Sequence, residues 1–462
     1  MTVDALLASR HTYWLVFALA LVLFATANLP WQLDDYDQAK QAFTSFEMVE
    51  QGHWLFQHTP NAAIATKPPL VGWISAGLFA ITHSWESAWR LPSLVAALAL
   101  FVVIGRAAGP ATALVASSAF AFNLLTPRLA TLVRTDMPLA LVVFALGAQI
   151  WRKLRDGSQW TRRDRLIAFA LLSAAMLIKG PIVYAFLLPG IVACRFAGQR
   201  NVWCGSWPWI ASLAVFLAWL AIGIWRVPEF LELVVIREFG GRFEGTHAAQ
   251  PIYFYIAHLL ARFAPWSLLI VIFGVAARRT TVPRETLWLI CWSVGGLVVM
   301  SLIPSKRVDR IFPVVPPLCL LIAAQFAILK AQRWVRLATT AALSIAFVVT
   351  AAYCTSKVVA GYRHRRDAYV QFANRVLAAQ PARLAVIGGE DEGLLLYLHK
   401  TQFTQLPDAI AEWQHGQIDA IVAPEDELPP LMRSLPGAAQ SPVGFSGRAG
   451  AHGNRYTLLI RK

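Results

Sequence analysis

The chain is short of charge. Of its 462 residues only 15% are Asp, Glu, Lys or Arg, against 57% hydrophobic, and its mean hydropathy is +0.52. Soluble domains carry about 25% charged residues, so a large soluble helical protein is a poor account of it. Acids are scarcest: 26 Asp and Glu stand against 41 Lys and Arg, a net charge of +15. In a soluble chain that balance would raise nucleic acid as a partner. Here the basic residues fall mostly in short loops between apolar runs, with no zinc-finger or RNA-reading motif, and no nucleic-acid partner is expected. Cysteine is also sparse. Cys194, Cys204, Cys291, Cys319 and Cys354 are scattered in or beside apolar runs without metal-ligand spacing. They read as small apolar residues rather than a disulfide framework. The sequence has no internal repeat, and the inverted halves of a typical secondary transporter are not apparent. Gly388-Gly389 lacks the GxGxxG context of a nucleotide site.

What the chain has instead is a series of apolar runs near the length that crosses a bilayer. They cover about 12–30, 89–106, 110–126, 136–152, 166–179, 181–197, 207–226, 259–276, 286–303, 311–329 and 337–356. Trp14, Trp31, Trp151, Trp207 and Trp225 sit at run ends, where interfacial anchors belong. The first run is long for a signal-peptide core and lacks a clear small-x-small cleavage site, so it reads as a retained span. A further apolar segment, about 68–83, is decided by charge. If it does not cross, the basic residues near Arg106, Arg152–Arg165, Arg195–Arg200, Arg278–Arg284 and Lys330–Arg336 all fall on one side. That side is the cytoplasm by the positive-inside rule. The segment 68–83 therefore reads as an amphipathic helix at the outer interface, with Trp73 as anchor. The expectation is eleven spans over residues 1–360, the N-terminus cytoplasmic and the C-terminus periplasmic.

Residues 361–462 change character. Arg383-Leu-Ala-Val-Ile, Ile418-Asp-Ala-Ile-Val-Ala and Tyr456-Thr-Leu-Leu-Ile read as strands, with helical stretches near 390–399 and 407–415. The expected fold class is a polytopic α-helical membrane protein with a small C-terminal extracytoplasmic α/β domain.

On this topology several cations lie on the outer side, where orientation does not explain them. Charges near or inside spans cost roughly 2.5–3.5 kcal/mol each at a bilayer centre, so they pair or line a wet cavity. The first outer loop opens with Asp34, Asp35 and Asp37. A carboxylate there can take a proton from an attacking hydroxyl or amine, although a helix N-terminus also welcomes acids through its dipole. Lys67 precedes Pro68-Pro69, which start the interfacial helix and hold the ammonium at a defined depth. An ammonium is a suitable point charge for a phosphate; a snorkelling lysine is the plainer reading. Arg128 follows the third span, and Arg134-Thr135-Asp136-Met137-Pro138 puts a charged pair before the fourth, where it can simply cap that helix. Lys179-Gly180-Pro181 is a tight turn with its cation outside. The loop Arg237-Glu238-Phe239-Gly240-Gly241-Arg242 sets two arginines beside glycines that let a backbone approach a ligand. Lys306, Arg307 and Arg310 at the end of the tenth span make a candidate anion site.

In this order the motifs are an acidic pair after span one, Lys-Pro-Pro-Leu-x-x-Trp, Arg-Thr-Asp-x-Pro-Leu-Ala, Lys-Gly-Pro, Arg-Glu-x-x-x-Arg-Phe and Ser-Lys-Arg with Pro-x-x-Pro-Pro after it. Over about residues 10–360 the chain resembles the GT-C membrane glycosyltransferases, in the group of lipid A aminoarabinose transferases and bacterial protein O-mannosyltransferase relatives. The resemblance implies a polyprenyl-phosphate-linked sugar donor, a lipid or protein acceptor, and a cavity open to the periplasmic face of the bacterial inner membrane, among membrane lipids. By match of motif, Asp34 is the leading catalytic carboxylate with Asp35 beside it, and Lys67 holds the donor phosphate. Arg242, Lys306, Arg307 and Arg310 are further phosphate contacts. Asp37, Arg128, Arg134, Asp136, Lys179, Arg237 and Glu238 are other cavity candidates.

The pattern also departs from the family. Aminoarabinose transferases commonly have Glu before the Lys-Pro-Pro lysine and His after the Glu of the Arg-Glu loop; this chain has Thr66 and Phe239. If those residues serve a metal in relatives, this chain lacks both ligands, so no cofactor is firmly implied. An arginine commonly follows the acidic pair in relatives, where this chain has Asp37 and Gln38. Donor sugar and acceptor are therefore not carried over. The expected activity is inverting sugar transfer from lipid phosphate; a transporter of lipid-linked sugars is the main rival, and a membrane scaffold presenting the C-terminal domain is a third reading.

Overall fold

The computed structural model describes residues 7, 9–33, 36–237, 249–388, 391–444 and 455–461. The chain divides into two compact units. The first comprises Met1–Ala27, Thr66–Val71 and Arg90–Thr355; the second comprises Asn28–Ala65, Gly72–Trp89 and Ser356–Lys462.

The first unit is helical. Among the described residues six helical segments are long and apolar enough to cross a membrane: Trp85–Ala108, Asp136–Arg155, Arg200–Arg226, Arg284–Leu302, Val308–Leu329 and Arg333–Arg363. Shorter apolar helices are Arg10–Thr26, Leu70–Thr82 and Ile182–Phe196. The 13 residues of Leu70–Thr82 reach only about 20 Å at 1.5 Å per residue, less than a hydrocarbon core of about 30 Å.

Two expected spans are broken. The run 110–126 is not one helix. The helix Ala113–Ala121 has nine residues and stops at Phe122. Asn123 turns the chain: its amide donates to the carbonyls of Ala119 and Phe120, and its Oδ1 accepts from the N–H groups of Leu125 and Thr126. Leu114 through Ala121 are all buried, so the irregular backbone after them is housed in protein, as a membrane requires. The run 259–276 is also two helices, Phe254–Arg262 and Trp266–Ala277, bent by 99°. Pro265 stands at the break and has no N–H to continue the ladder. Trp266 Nε1 donates to the Phe122 carbonyl at 2.7 Å, and Leu124 N to the Arg262 carbonyl at 2.9 Å, so the two breaks tie to each other.

Small residues let the helices approach. A Cβ on Gly190 would lie 2.6 Å from the Trp292 backbone, and one on Gly295 2.9 Å from Gly190 N. A Cβ on Gly147 would lie 2.1 Å from the Trp292 ring, and Trp288 Nε1 donates to the Gly147 carbonyl at 3.0 Å. Close contact through glycine is the usual means of packing helices where lipid removes the hydrophobic drive between them.

The second unit combines the first loop with the C-terminal segment. Its sheet has the order β3-β4-β6-β5. Strand β3 is Leu384–Val386, β4 is Ala420–Pro424, β5 is Ala438–Gly444 and β6 is Tyr456–Arg461. Strands β3 and β4 are parallel, while β6 runs antiparallel to both β4 and β5. Trp413, Ile421, Leu431 and Leu459 form its apolar core. Residues 28–65 belong with this sheet domain rather than standing apart from it. Leu33 N donates to the Tyr397 hydroxyl at 3.0 Å, Tyr369 N to Gln32 Oε1 at 2.6 Å, and Gln51 Nε2 to Thr401 Oγ1 at 2.9 Å. A boundary at residue 360 therefore separates pieces that pack together. The loop also carries a small hairpin, β1 His58–Thr59 with β2 Ala63–Ile64.

Candidate functional site

The charges gather where helices of the first unit begin and end. Asp136 lies in the first turn of Asp136–Arg155, and Lys179 in the last turn of Arg162–Lys179. Each sits at the helix end that its sign favours. Gly180, at φ 74°, takes a conformation that favours glycine and stops the second helix; its N–H returns to the Met176 carbonyl. Lys179 Nζ meets Asp136 Oδ1 at 2.6 Å, with both side chains largely buried.

Arg134 does not pair with its near neighbour Asp136. It reaches Asp309 Oδ2 at 2.8 Å, and Arg128 lies 3.8 Å from Asp309 Oδ1. The local capping pair suggested by Arg134-Thr135-Asp136 is thus replaced by two long-range pairs. Asp309 comes from the 3-10 turn Val308–Val314, ahead of the helix Val315–Leu329. The same turn carries Arg310, whose Nη1 donates to the Ser305 carbonyl at 2.8 Å and to Ser305 Oγ at 3.2 Å. Lys306 is buried and donates to the Gln250 carbonyl at 3.0 Å. The N–H of Arg307 donates to the Tyr255 hydroxyl at 3.4 Å. Tyr255 is fully buried, within electrostatic reach of Arg310, Asp136 and Asp309.

Arg128, Arg134, Lys179, Lys306, Arg307 and Arg310 are six cations set with two carboxylates, Asp136 and Asp309. Among their contacts, Lys306 donates to the Gln250 carbonyl and Arg310 to Ser305, both neutral oxygens. Among the described side chains gathered here cations outnumber carboxylates, a composition suited to an anion. Lys179, Ser305 and Arg310 line a cleft together with Leu139, Ile182, Phe186, Met300 and Ile303. Its lining joins two cations and a serine to five apolar side chains, around a space with room for about one water.

The other expected residues are placed as follows. Lys67 is half-buried in the first unit, and Pro68 and Pro69 are buried beside it, ahead of the helix Leu70–Thr82. Asp37 lies in the first turn of the helix Tyr36–Gln51, in the second unit. Arg237 ends the helical stretch Leu231–Arg237. Asp34, Asp35, Glu238 and Arg242 lie outside the described residues, as does Phe239. Sequence reasoning missed Asp309, Tyr255 and Ser305. Asp309 stands inside the basic run 306–310, where an acid among cations was the available signal. It also missed Glu47, His53 and His58, which lie together in the second unit.

Parts of the chain match two family models. Residues 66–225 match the dolichyl-phosphate-mannose-protein mannosyltransferase model, and residues 234–382 the Alg9-like mannosyltransferase family. Curated relatives include undecaprenyl phosphate-alpha-4-amino-4-deoxy-L-arabinose arabinosyl transferases. That of Shewanella sediminis is 27% identical over 62% of this chain, that of Sodalis glossinidius 29% over 67%, and that of Erwinia tasmaniensis 26% over 75%. The chain spans 54%, 57% and 65% of their respective lengths. Among solved structures, ArnT from Cupriavidus metallidurans bound to undecaprenyl phosphate superposes with a TM-score of 0.74 at 18% identity, covering 98% of both chains. The Archaeoglobus fulgidus oligosaccharyltransferase tethered with an acceptor peptide gives 0.52 at 12% identity, over 91% of this chain and 70% of that one. The fold is thus of the GT-C type expected from the motifs, in a multi-pass inner-membrane protein.

Proposed function

We propose that this chain, an aminoarabinose-transferase-like protein of the GT-C fold, is an inverting glycosyltransferase. It moves a sugar from a polyprenyl-phosphate donor to a lipid acceptor of the lipid A type at the periplasmic face of the inner membrane. The single observation that carries the reading is the gathering of Lys179, Lys306, Arg307 and Arg310 around the Asp136 and Asp309 carboxylates at the helix ends of the first unit. The relatives' names support the donor class.

In the proposed reaction the acceptor nucleophile attacks the anomeric carbon. Its bond to that carbon forms as the carbon–oxygen bond to phosphate breaks, and polyprenyl phosphate leaves with the bonding electrons. The acceptor proton passes to the Asp34 carboxylate, with Asp35 as its neighbour; Asp37 is a further cavity candidate. Negative charge grows on the departing phosphate. Lys67, Lys306, Arg307, Arg310 and Arg242 would stabilise it, which is electrostatic stabilisation of the transition state by groups already in place. Arg128, Arg134, Asp136, Lys179, Arg237 and Glu238 are assigned to the cavity around them. The Asp136 carboxylate pairs with Lys179, and that of Asp309 with Arg134 and Arg128, which fixes these surrounding charges.

The test uses purified full chain in detergent with an undecaprenyl-phosphate-linked sugar and lipid A. Expected products are free undecaprenyl phosphate and glycosylated lipid A, in equal amounts. Asp34→Asn should slow turnover by roughly 10²–10⁴, the usual contribution of general acid–base catalysis, and Asp35→Asn by less. A protein that moves lipid-linked sugar across liposomes and glycosylates neither lipid A nor a protein acceptor would overturn the assignment in favour of a transporter. Glycosylation of a protein alone would overturn the acceptor class.

A further inference from the structure

Glu47 lies near the end of the helix Tyr36–Gln51, and its carboxylate is almost wholly buried, at 1% side-chain exposure. The helix ends at Gln51, and Gly52, at φ 80°, turns the chain back. This turn brings His53 Nδ1 against Glu47 Oε1. The chain then enters the hairpin, whose register pairs His58 with Ile64 and Thr59 with Ala63. That pairing fixes His58, and its Nδ1 stands 3.4 Å from the same Glu47 Oε1. The other carboxylate oxygen, Oε2, accepts from the His58 backbone N–H at 3.4 Å. One oxygen of a buried carboxylate thus faces two imidazole nitrogens, while the second is held by the backbone.

A simple ion pair accounts for one histidine and leaves the other unexplained. Among the described residues His58 Nδ1 is buried and has no hydrogen-bond partner. The two imidazole rings stand 4.4 Å apart, centroid to centroid, at 67°. The ligand atoms of all three residues lie within 4.8 Å of one another. Around tetrahedral zinc at about 2.0–2.1 Å per ligand, neighbouring ligand atoms are about 3.3 Å apart. The separation of His58 Nδ1 from Glu47 Oε1 matches that spacing, while His53 Nδ1 lies closer to the same oxygen and would move back to admit an ion. Nothing else among the described groups gives this nitrogen a partner.

We propose that Glu47, His53 and His58 form a binding site for a divalent transition metal of the zinc class. Two neutral imidazoles and a carboxylate are the donor set that such ions take, where calcium or magnesium would call for more oxygen ligands. The backbone N–H on Oε2 is an outer contact that orients the carboxylate. His53 is 47% exposed and His58 18% exposed, so solvent reaches the site and a water completes the coordination. A bound ion ties the turn and hairpin to the helix Tyr36–Gln51. This site is independent of the sugar-transfer reading.

The test uses the full chain, tag removed, purified in detergent, stripped with chelator and freed of it. Zn²⁺ and Co²⁺ are then titrated. The expected results are one tightly held ion per chain by mass spectrometry, a visible absorption band on Co²⁺ loading, and a Zn²⁺-dependent rise in the melting midpoint. His53→Gln and His58→Asn should each weaken binding by about 10-fold or more, and the two together should abolish the band and the rise. His11→Ala, at an exposed position far along the chain, should bind as the parent does. His53 is half-exposed, so His53→Gln folds even if changes at the buried Glu47 do not. Absence of a tightly held ion in the parent would overturn the proposal, as would His53→Gln/His58→Asn protein that binds with parental stoichiometry and affinity.

Discussion

Lys179 and Asp136 offer a direct test of how the charged cluster is held. Their side chains are 11% and 8% exposed, and Nζ lies 2.6 Å from Oδ1. At an effective dielectric constant of 20 the Coulomb attraction at that distance is about 6 kcal/mol. Taking each ion from water costs several kcal/mol, so the pair as a whole nets close to zero. Removing one partner is different, because the other stays buried and uncompensated. Lys179→Met keeps an unbranched chain of similar length and deletes the charge. It should destabilise the protein by about 3–5 kcal/mol, the usual consequence of breaking a buried pair. Asp136→Leu should cost a comparable amount, with up to about 1 kcal/mol of lost helix-dipole interaction included. The double variant Lys179→Met/Asp136→Leu removes both charges and should lie well above either single variant, returning to within about 2 kcal/mol of the parent.

The assay is equilibrium unfolding in mixed micelles, followed by the fluorescence of the 18 tryptophans. Donor binding is the second readout. Lys179 also lines the cleft with Arg310, so the double variant should recover stability and still bind undecaprenyl phosphate more weakly than the parent. Lys179→Met protein as stable as the parent within about 0.5 kcal/mol would refute the buried pair. A double variant no better than the worse single one would refute the coupling.

Much of this site was legible in the sequence as isolated facts. Lys179, Lys306, Arg307 and Arg310 stand out because charge is rare in apolar sequence and, on the expected topology, lies on the disfavoured side. The partners were not legible, because pairing is set by tertiary contact. Arg134 has an acid two residues away, yet its partner Asp309 is 175 residues distant, and Lys179 meets an acid 43 residues back. The His–Glu group shows the same limit at short range. Glu47, His53 and His58 are six and five residues apart, a spacing that fits neither a helix face nor a strand. Only the turn at Gly52 and the hairpin bring them together. In the fold, apolar run length marked where helices lie, although only six helical segments among the described residues are long and apolar enough to cross a membrane, and β3, β4 and β6 were visible as short apolar runs. Strand β5 was missed, since Ala-Ala-Gln-Ser-Pro-Val-Gly has little β propensity. The breaks at Asn123 and Pro265 were missed because hydropathy averages over them, while a single side-chain hydrogen-bonding pattern or one missing N–H decides the geometry.

Three further expectations follow from particular residues. Gly147→Ala puts a Cβ 2.1 Å from the Trp292 ring and should cost about 1–3 kcal/mol by overpacking; an unchanged unfolding midpoint would show that the ring can move aside freely. For topology, a cysteine at Ser158 in a cysteine-free background should be labelled only from the cytoplasm and one at Gln440 only from the periplasm, and outside labelling at 158 would mean that 68–83 crosses. The last concerns Lys67, which precedes Pro68 and Pro69, both buried. If it grips donor phosphate, Lys67→Ala should weaken undecaprenyl-phosphate binding, and Lys67→Arg should restore it only in part, because a planar fork is not a compact point charge. Binding to purified protein, read by titration calorimetry, separates this from a lysine that merely reaches lipid headgroups. A snorkelling lysine would leave donor affinity unchanged in both variants, and that result would remove Lys67 from the donor site whichever activity the chain carries.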